Sequence, residues 1–84
     1  MNIEIYYRPT CPYSVRALDY LDKKKLKYEK YDITDRPDLK REMITRSGGS
    51  FTVPQAFIND IHVGGSTELL ALDDKIWKKL MKKN

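Results

Sequence analysis

Cys11 is the only cysteine in the 84 residues, and it stands within Arg8-Pro9-Thr10-Cys11-Pro12-Tyr13-Ser14. There an alternating apolar segment (Ile3, Ile5, Tyr7) gives way to helical spacing (Val15, Leu18, Leu21). A thiol at a strand-to-helix junction lies among backbone N–H groups that have no intrahelical partner, at the positive end of the helix dipole. Both favour thiolate over thiol. Cysteines so placed reach pKa values of about 3.5–7.5, against about 8.5 for a free thiol. Arg8 adds a positive charge nearby. The chemistry open to such a thiolate is attack on a disulfide sulfur. The competing reading is a small buried hydrophobe, the usual role of a free cysteine. The helix start, Pro12 and Arg8 weigh against it.

The elements that must position this thiol follow from periodicity. Asn2 to Tyr7 alternates as a strand does. Thr10 is a candidate cap for a helix beginning around Cys11 and running to about Lys24, with Pro12 in its first turn. Val15, Leu18 and Leu21 form the expected buried side, with Arg16, Asp19 and Asp22 outward. Leu26 to Ile33 is a second strand, completing a βαβ unit with parallel pairing. A second helix starts near Asp35 and Pro37, carries Leu39, Met43 and Ile44 inward, and ends in a flexible Ser47-Gly48-Gly49-Ser50 loop. Gln55 to Ile58 and Ile61 to Val63 pair as a hairpin across Asn59-Asp60. After Gly64-Gly65 a short helix holds Leu69, Leu70 and Leu72. A last one begins at Asp73 or Asp74, with Ile76, Trp77, Leu80 and Met81 apolar. The order is β-α-β-α-β-β-α, its final α counting the short helix and the last one together, an α/β fold with a mixed four-stranded sheet flanked by helices on both faces. Residues 1–84 read as a single domain.

Three pieces in this order and spacing resemble the glutaredoxin family: Arg8 to Ser14, then Thr52-Val53-Pro54, then Gly64-Gly65-Ser66-Thr67-Glu68. The match is to the dithiol, class I-like branch and covers nearly the whole chain. It implies a thioredoxin-like fold, with glutathione as co-substrate. Cys11 corresponds to the nucleophile. Tyr13 either flanks the sulfur beside bound glutathione or is a plain surface aromatic. Pro54 corresponds to a proline preceded by a cis peptide bond, which leaves the Val53 N–H and C=O free to pair with the glutathione backbone, with Thr52 beside them. Gly65 permits close backbone approach, and the Ser66 and Thr67 N–H groups can hold the γ-glutamyl carboxylate. A plain helix cap is the alternative there. Many relatives have aspartate where this chain has Thr67, with Glu68 next, so the side chain that meets the glutathione ammonium stays open. Lys40 and Arg41 are candidates for the glycine carboxylate. His62 reads as a solvent-facing strand residue.

Ser14 departs from the dithiol pattern, which has a second, resolving cysteine there. A serine hydroxyl cannot resolve a mixed disulfide, yet it can donate a hydrogen bond to the Cys11 thiolate. Ser14 is either natural or a Cys→Ser replacement. Pro12-Tyr13, where cluster-binding monothiol relatives usually have Gly-Phe, favours replacement. The implied activity is reduction of glutathione mixed disulfides through Cys11 alone. The alternative is a dimer bridging an iron–sulfur cluster through Cys11 and glutathione.

Composition sets the remaining bounds. Hydrophobic residues make up 40% and charged residues 33%, ordinary for a globular protein. One cysteine excludes an internal disulfide, and a free thiol fits a reducing, cytoplasmic compartment. No apolar run has the length of a membrane span, and the first residues do not read as a signal peptide. The net charge is +4, but Lys23 to Lys25, Lys78-Lys79 and Lys82-Lys83 fall at helix ends, where cations complement the dipole. Nucleic acid is not an expected partner. A monomer is expected, with glutathionylated proteins and small disulfides as partners and ribonucleotide reductase among them by resemblance. Without other Cys or His at ligand spacing, no metal is expected.

Overall fold

The computed structural model describes residues 2–82; Met1, Lys83 and Asn84 lie outside the described residues, and with them half of the Lys82-Lys83 pair. The elements are β1 (Ile3–Tyr7), α1 (Pro12–Lys23), β2 (Glu29–Asp32), α2 (Pro37–Arg46), β3 (Gln55–Ile58), β4 (Ile61–Gly64), α3 (Ser66–Leu70) and α4 (Asp74–Met81). The strand order is β2-β1-β3-β4. β1 runs parallel to β2 and antiparallel to β3, and β3 antiparallel to β4. β2 is shorter than the Leu26–Ile33 span expected. Leu26 and Tyr28 instead pack on the core from the connection before it.

The pleat of β1 sorts its side chains onto two cores. Ile3 and Ile5 meet Ala17 and Leu21 of α1, Leu69 of α3 and Trp77 of α4 on one face. Tyr6 meets Ile33, Phe57 and Met43 of α2 on the other. Glu4 shares that second face and is almost fully buried. A carboxylate there needs partners, and Arg46 supplies two hydrogen bonds at 2.9 and 3.0 Å. The Tyr31 hydroxyl donates a third at 3.0 Å. The Arg46 guanidinium lies 4.2 Å from the centroid of the Phe57 ring and also donates to the Tyr6 hydroxyl at 2.9 Å. Burial, with Glu42 as hydrogen-bond acceptor, pushes the Tyr6 hydroxyl up to about 12.

Two apolar residues lie elsewhere than expected. α1 buries Ser14, Ala17 and Leu21, which leaves Val15 on the next stripe of the helix and 44% exposed. α4 docks through Trp77 with Leu80 and Met81, which turns Ile76 towards solvent.

Both long helices end in the same way. In α2 the Gly49 N–H reaches Ile44 O and the Gly48 N–H reaches Thr45 O, with Gly48 at φ +73°. This is a Schellman cap. The Ser47 hydroxyl accepts from the Ser50 N–H at 3.1 Å. The segment expected as a flexible loop is therefore a hydrogen-bonded turn. In α1 the Leu26 N–H reaches Leu21 O and the Lys25 N–H reaches Asp22 O. Here a lysine, Lys25 at φ +57°, takes the left-handed position.

Candidate functional site

Cys11, not Thr10, occupies the N-cap of α1. The Cys11 N–H bonds to Arg8 O at 3.1 Å, closing a turn, and the Val15 N–H bonds to Cys11 O as the first helical bond. A cap side chain faces the N–H groups of the second and third helical residues. Those residues are Tyr13 and Ser14, because Pro12 at the first position has no N–H to offer. As a thiol, Sγ makes no cap bond and points at the Val53 carbonyl oxygen, 3.8 Å away. As a thiolate it becomes an acceptor. Burial alone would raise its pKa. The Ser14 N–H, the Ser14 hydroxyl, the Tyr13 N–H and the charge of Arg8 outweigh burial and bring it below the ordinary thiol value. Cys11 is half-buried, so it is not sealed in the core.

Ser14 is 0% exposed, and its hydroxyl accepts from the Arg8 N–H at 3.3 Å. With that lone pair engaged, its proton is free to serve the sulfur. Ser14 thus ties together the turn that carries Arg8 and the helix that carries Cys11.

The Thr52–Pro54 segment faces Cys11 from the start of β3, and the Val53–Pro54 peptide bond is cis. Gln55, buried in β3, holds this segment. Its Nε2 donates to Thr52 O at 3.0 Å and to Thr52 Oγ1 at 3.2 Å, while its Oε1 meets His62 Nε2 at 2.6 Å. His62 is solvent-facing, as expected, and links β4 to the loop through Gln55. Gln55 was missed in the sequence. Its signal is a polar residue in a run otherwise filled by Ala56, Phe57 and Ile58.

Gly64 and Gly65 bring α3 against the same loop. A Cβ on Gly65 would lie 3.4 Å from Pro54 O, and one on Gly64 would lie 2.9 Å from Glu68 Cγ. Glu68 folds back so that its carboxylate accepts from the Gly65 N–H at 2.7 Å. The first helical bond of α3 runs from the Leu69 N–H to Gly65 O, so the Ser66 and Thr67 N–H groups precede the helical ladder. Cys11, Ser14, Arg8, Val53 and Pro54 are brought together, with Gly65 against Pro54. Tyr13 is exposed on the rim, with the Arg16 guanidinium 5.9 Å from its ring centroid. Lys40 and Arg41 lie on α2 beside Leu39, which packs on the same cluster as Val53. Among the described residues, no group of three or more His, Cys, Asp or Glu could hold a metal ion.

The glutaredoxin family model matches residues 3–63. The chain is 44% identical over 72 residues to glutaredoxin 3 of Escherichia coli strain K12, covering 86% of each chain. It is 42% identical over 73 residues to glutaredoxin 1 of Rickettsia prowazekii, covering 86% of this chain and 77% of the relative. The solution structure of glutaredoxin from Brucella melitensis superposes with a TM-score of 0.77 at 41% identity, covering 98% of this chain and 89% of that one. This chain belongs to the glutaredoxin family.

Its mixed four-stranded sheet is the thioredoxin-like fold of its structural neighbours. Membership carries thiol–disulfide oxidoreductase activity, and this glutaredoxin has one thiol with which to perform it. Among the described residues no helix is long and apolar enough to cross a membrane.

Proposed function

We propose that this glutaredoxin reduces glutathione mixed disulfides by a monothiol route. The observation that carries the reading is the Cys11 sulfur at the N-cap of α1, facing the Val53 main chain. In the first step the Cys11 thiolate attacks the glutathione sulfur of a glutathionylated substrate. The substrate–glutathione S–S bond breaks, a Cys11–glutathione S–S bond forms, and the substrate leaves as a thiolate that takes a proton from water. In the second step the thiolate of a second glutathione attacks the bound glutathione sulfur. Oxidised glutathione leaves and the Cys11 thiolate returns, so the protein is unchanged and one disulfide has been exchanged for another.

The Ser14 hydroxyl and the two N–H groups stabilise the thiolate both as nucleophile and as leaving group. Bound glutathione pairs its cysteinyl backbone with Val53, beside Thr52. Its γ-glutamyl carboxylate meets the Ser66 and Thr67 N–H groups, and Thr67 or Glu68, whose carboxylate holds the Gly65 N–H, meets its ammonium. Lys40 or Arg41 takes the glycine carboxylate, and Tyr13 covers the sulfur from outside. Ser14 has no thiol, so a protein disulfide linked to Cys11 has no resolving partner within this chain.

Turnover of a glutathionylated peptide in the presence of reduced glutathione tests the proposal. Cys11→Ser should abolish it, whereas Thr67→Pro, which removes one anion-binding N–H, should raise KM for glutathione. Turnover that survives Cys11→Ser would refute the route.

A further inference from the structure

The stripe of α1 next to its buried face carries Pro12, Val15, Arg16, Asp19, Tyr20 and Lys23, at helical spacings of three and four. With Leu70 at the end of α3 it lines an open groove of about 400 Å³. Two of its apolar residues stand in solvent, Val15 at 44% and Leu70 at 38% exposed. They lie beside Pro12, the residue that follows Cys11.

We propose that this groove seats the protein segment flanking the modified cysteine of a glutathionylated substrate, a segment bearing an apolar side chain and a carboxylate close to that cysteine. The inference rests on the monothiol reading above and adds the substrate class.

Three observations point to this occupant. The groove begins at Pro12, the residue next to the reacting Cys11. A protein cysteine joined through glutathione to the site has its neighbours within reach of this surface. None of the glutathione residues named above, on the Val53 loop, the first turn of α3, α2 or at Tyr13, lines the groove, which uses the outer face of α1 and the last residue of α3. The two can be filled together. From Pro12 to Tyr20 the helix rises about 12 Å, room for about four residues of extended chain.

Charge decides the kind of segment. Arg16 and Lys23 stand one turn on either side of Asp19, the single carboxylate of the groove. None of the three forms an ion pair among the described residues. Arg16 leans over the Tyr13 ring, towards the sulfur end, where Arg8 adds a further cation. An acidic side chain three or four positions from the substrate cysteine meets Arg16, while an apolar one nearer to it meets Val15 and Leu70.

The test compares three glutathionylated substrates: a peptide with Leu and Glu near its cysteine, the same peptide with Ser and Lys in their places, and the mixed disulfide of free cysteine with glutathione. The Leu/Glu peptide should have the lowest KM. Val15→Ser and Arg16→Glu should each raise that KM about three- to tenfold, the scale of deleting or reversing one solvent-exposed interaction, with kcat unchanged. Neither should alter the flankless disulfide. Equal KM values for the two peptides, or variants that shift all three substrates alike, would overturn the groove as a docking surface. So would concentration-dependent dimerisation of the wild-type protein that Val15→Ser abolishes, because the occupant would then be a second copy. Should the flankless disulfide fail to turn over, the glutathione reading of Cys11 falls. The groove is then judged by peptide binding, where Arg16→Glu must weaken the Leu/Glu peptide and spare the Ser/Lys peptide.

Discussion

The sulfur of Cys11 and the carbonyl oxygen of Val53 face each other across 3.8 Å, one at the start of α1 and the other just before β3. That pairing suits a thiol, which donates, and repels a thiolate, which cannot. Ionised, the sulfur turns to the N–H groups of Ser14 and Tyr13 and to the Ser14 hydroxyl. The proton state of one atom therefore selects between two sets of partners, and the reactive state is the one held by α1.

The rate of Cys11 alkylation should accordingly show an apparent pKa below that of an ordinary thiol. The thiolate is available above that value and is lost as pH falls through it. Ser14→Ala removes a donor that also anchors the Arg8 turn, so its midpoint should move upward. Iodoacetamide kinetics from pH 4 to about 10 would measure both. A wild-type midpoint at the free-thiol value, or no change in Ser14→Ala, would contradict this account of activation.

Lys25 sits at φ +57° where a Schellman cap favours glycine. A left-handed residue with a Cβ costs about 1–2 kcal/mol, and glycine loses roughly half of that gain through the entropy of the unfolded chain. Lys25→Gly should therefore stabilise the protein by about 0.5–1 kcal/mol. Urea denaturation would register a higher midpoint with the same slope.

Arg46 is the hub of the charged network on the α2 face. Arg46→Met leaves Glu4 buried with only Tyr31 and Asn2 as partners, at a cost of about 2–4 kcal/mol, near the range for breaking a buried pair. The Glu4 carboxyl is held below its usual range chiefly by hydrogen bonding to Arg46, against burial that would raise it. Its contribution is present above the unfolded carboxyl value of about 4.3 and lost as pH falls through the lower folded one. The stability gap between wild type and Arg46→Met should therefore be full at pH 7 and narrow in acid.

Gly64 lies at φ +124°, and a Cβ there meets Glu68. Gly64→Ala should cost about 1–3 kcal/mol and dislodge the Glu68 carboxylate from the Gly65 N–H. On the reading proposed here KM for glutathione rises, while the alkylation midpoint of Cys11, set on α1, stays where it was. A shift in that midpoint would show that the two parts of the site are not independent.

The sequence carried the elements because their periods are clean. β1, the hairpin with Asn59 and Asp60 at positive φ, and the break before α4 all follow from local pattern and turn chemistry. Cys11 as the centre was legible because a single thiol stood at a change of period. What escaped was rotation and pairing across the chain. Val15 and Ile76 are apolar yet exposed, because Ala17, Leu21 and Trp77 fix how each helix faces the core. Local propensity offers a cap in Thr10, but the turn that closes from Cys11 to Arg8 gives that place to Cys11. The Glu4–Arg46 pair spans 42 positions, beyond any window of helical or strand spacing. Gln55 meets Thr52 and His62, three and seven positions away, only once the loop folds back and β3 pairs with β4.

Intact mass after incubation with oxidised glutathione reads the chemistry of Cys11 itself. The mass should rise by one glutathione, located on Cys11, absent in Cys11→Ser and removed by reduced glutathione. A protein that stays unmodified, or an adduct that reduced glutathione leaves in place, would contradict the monothiol route.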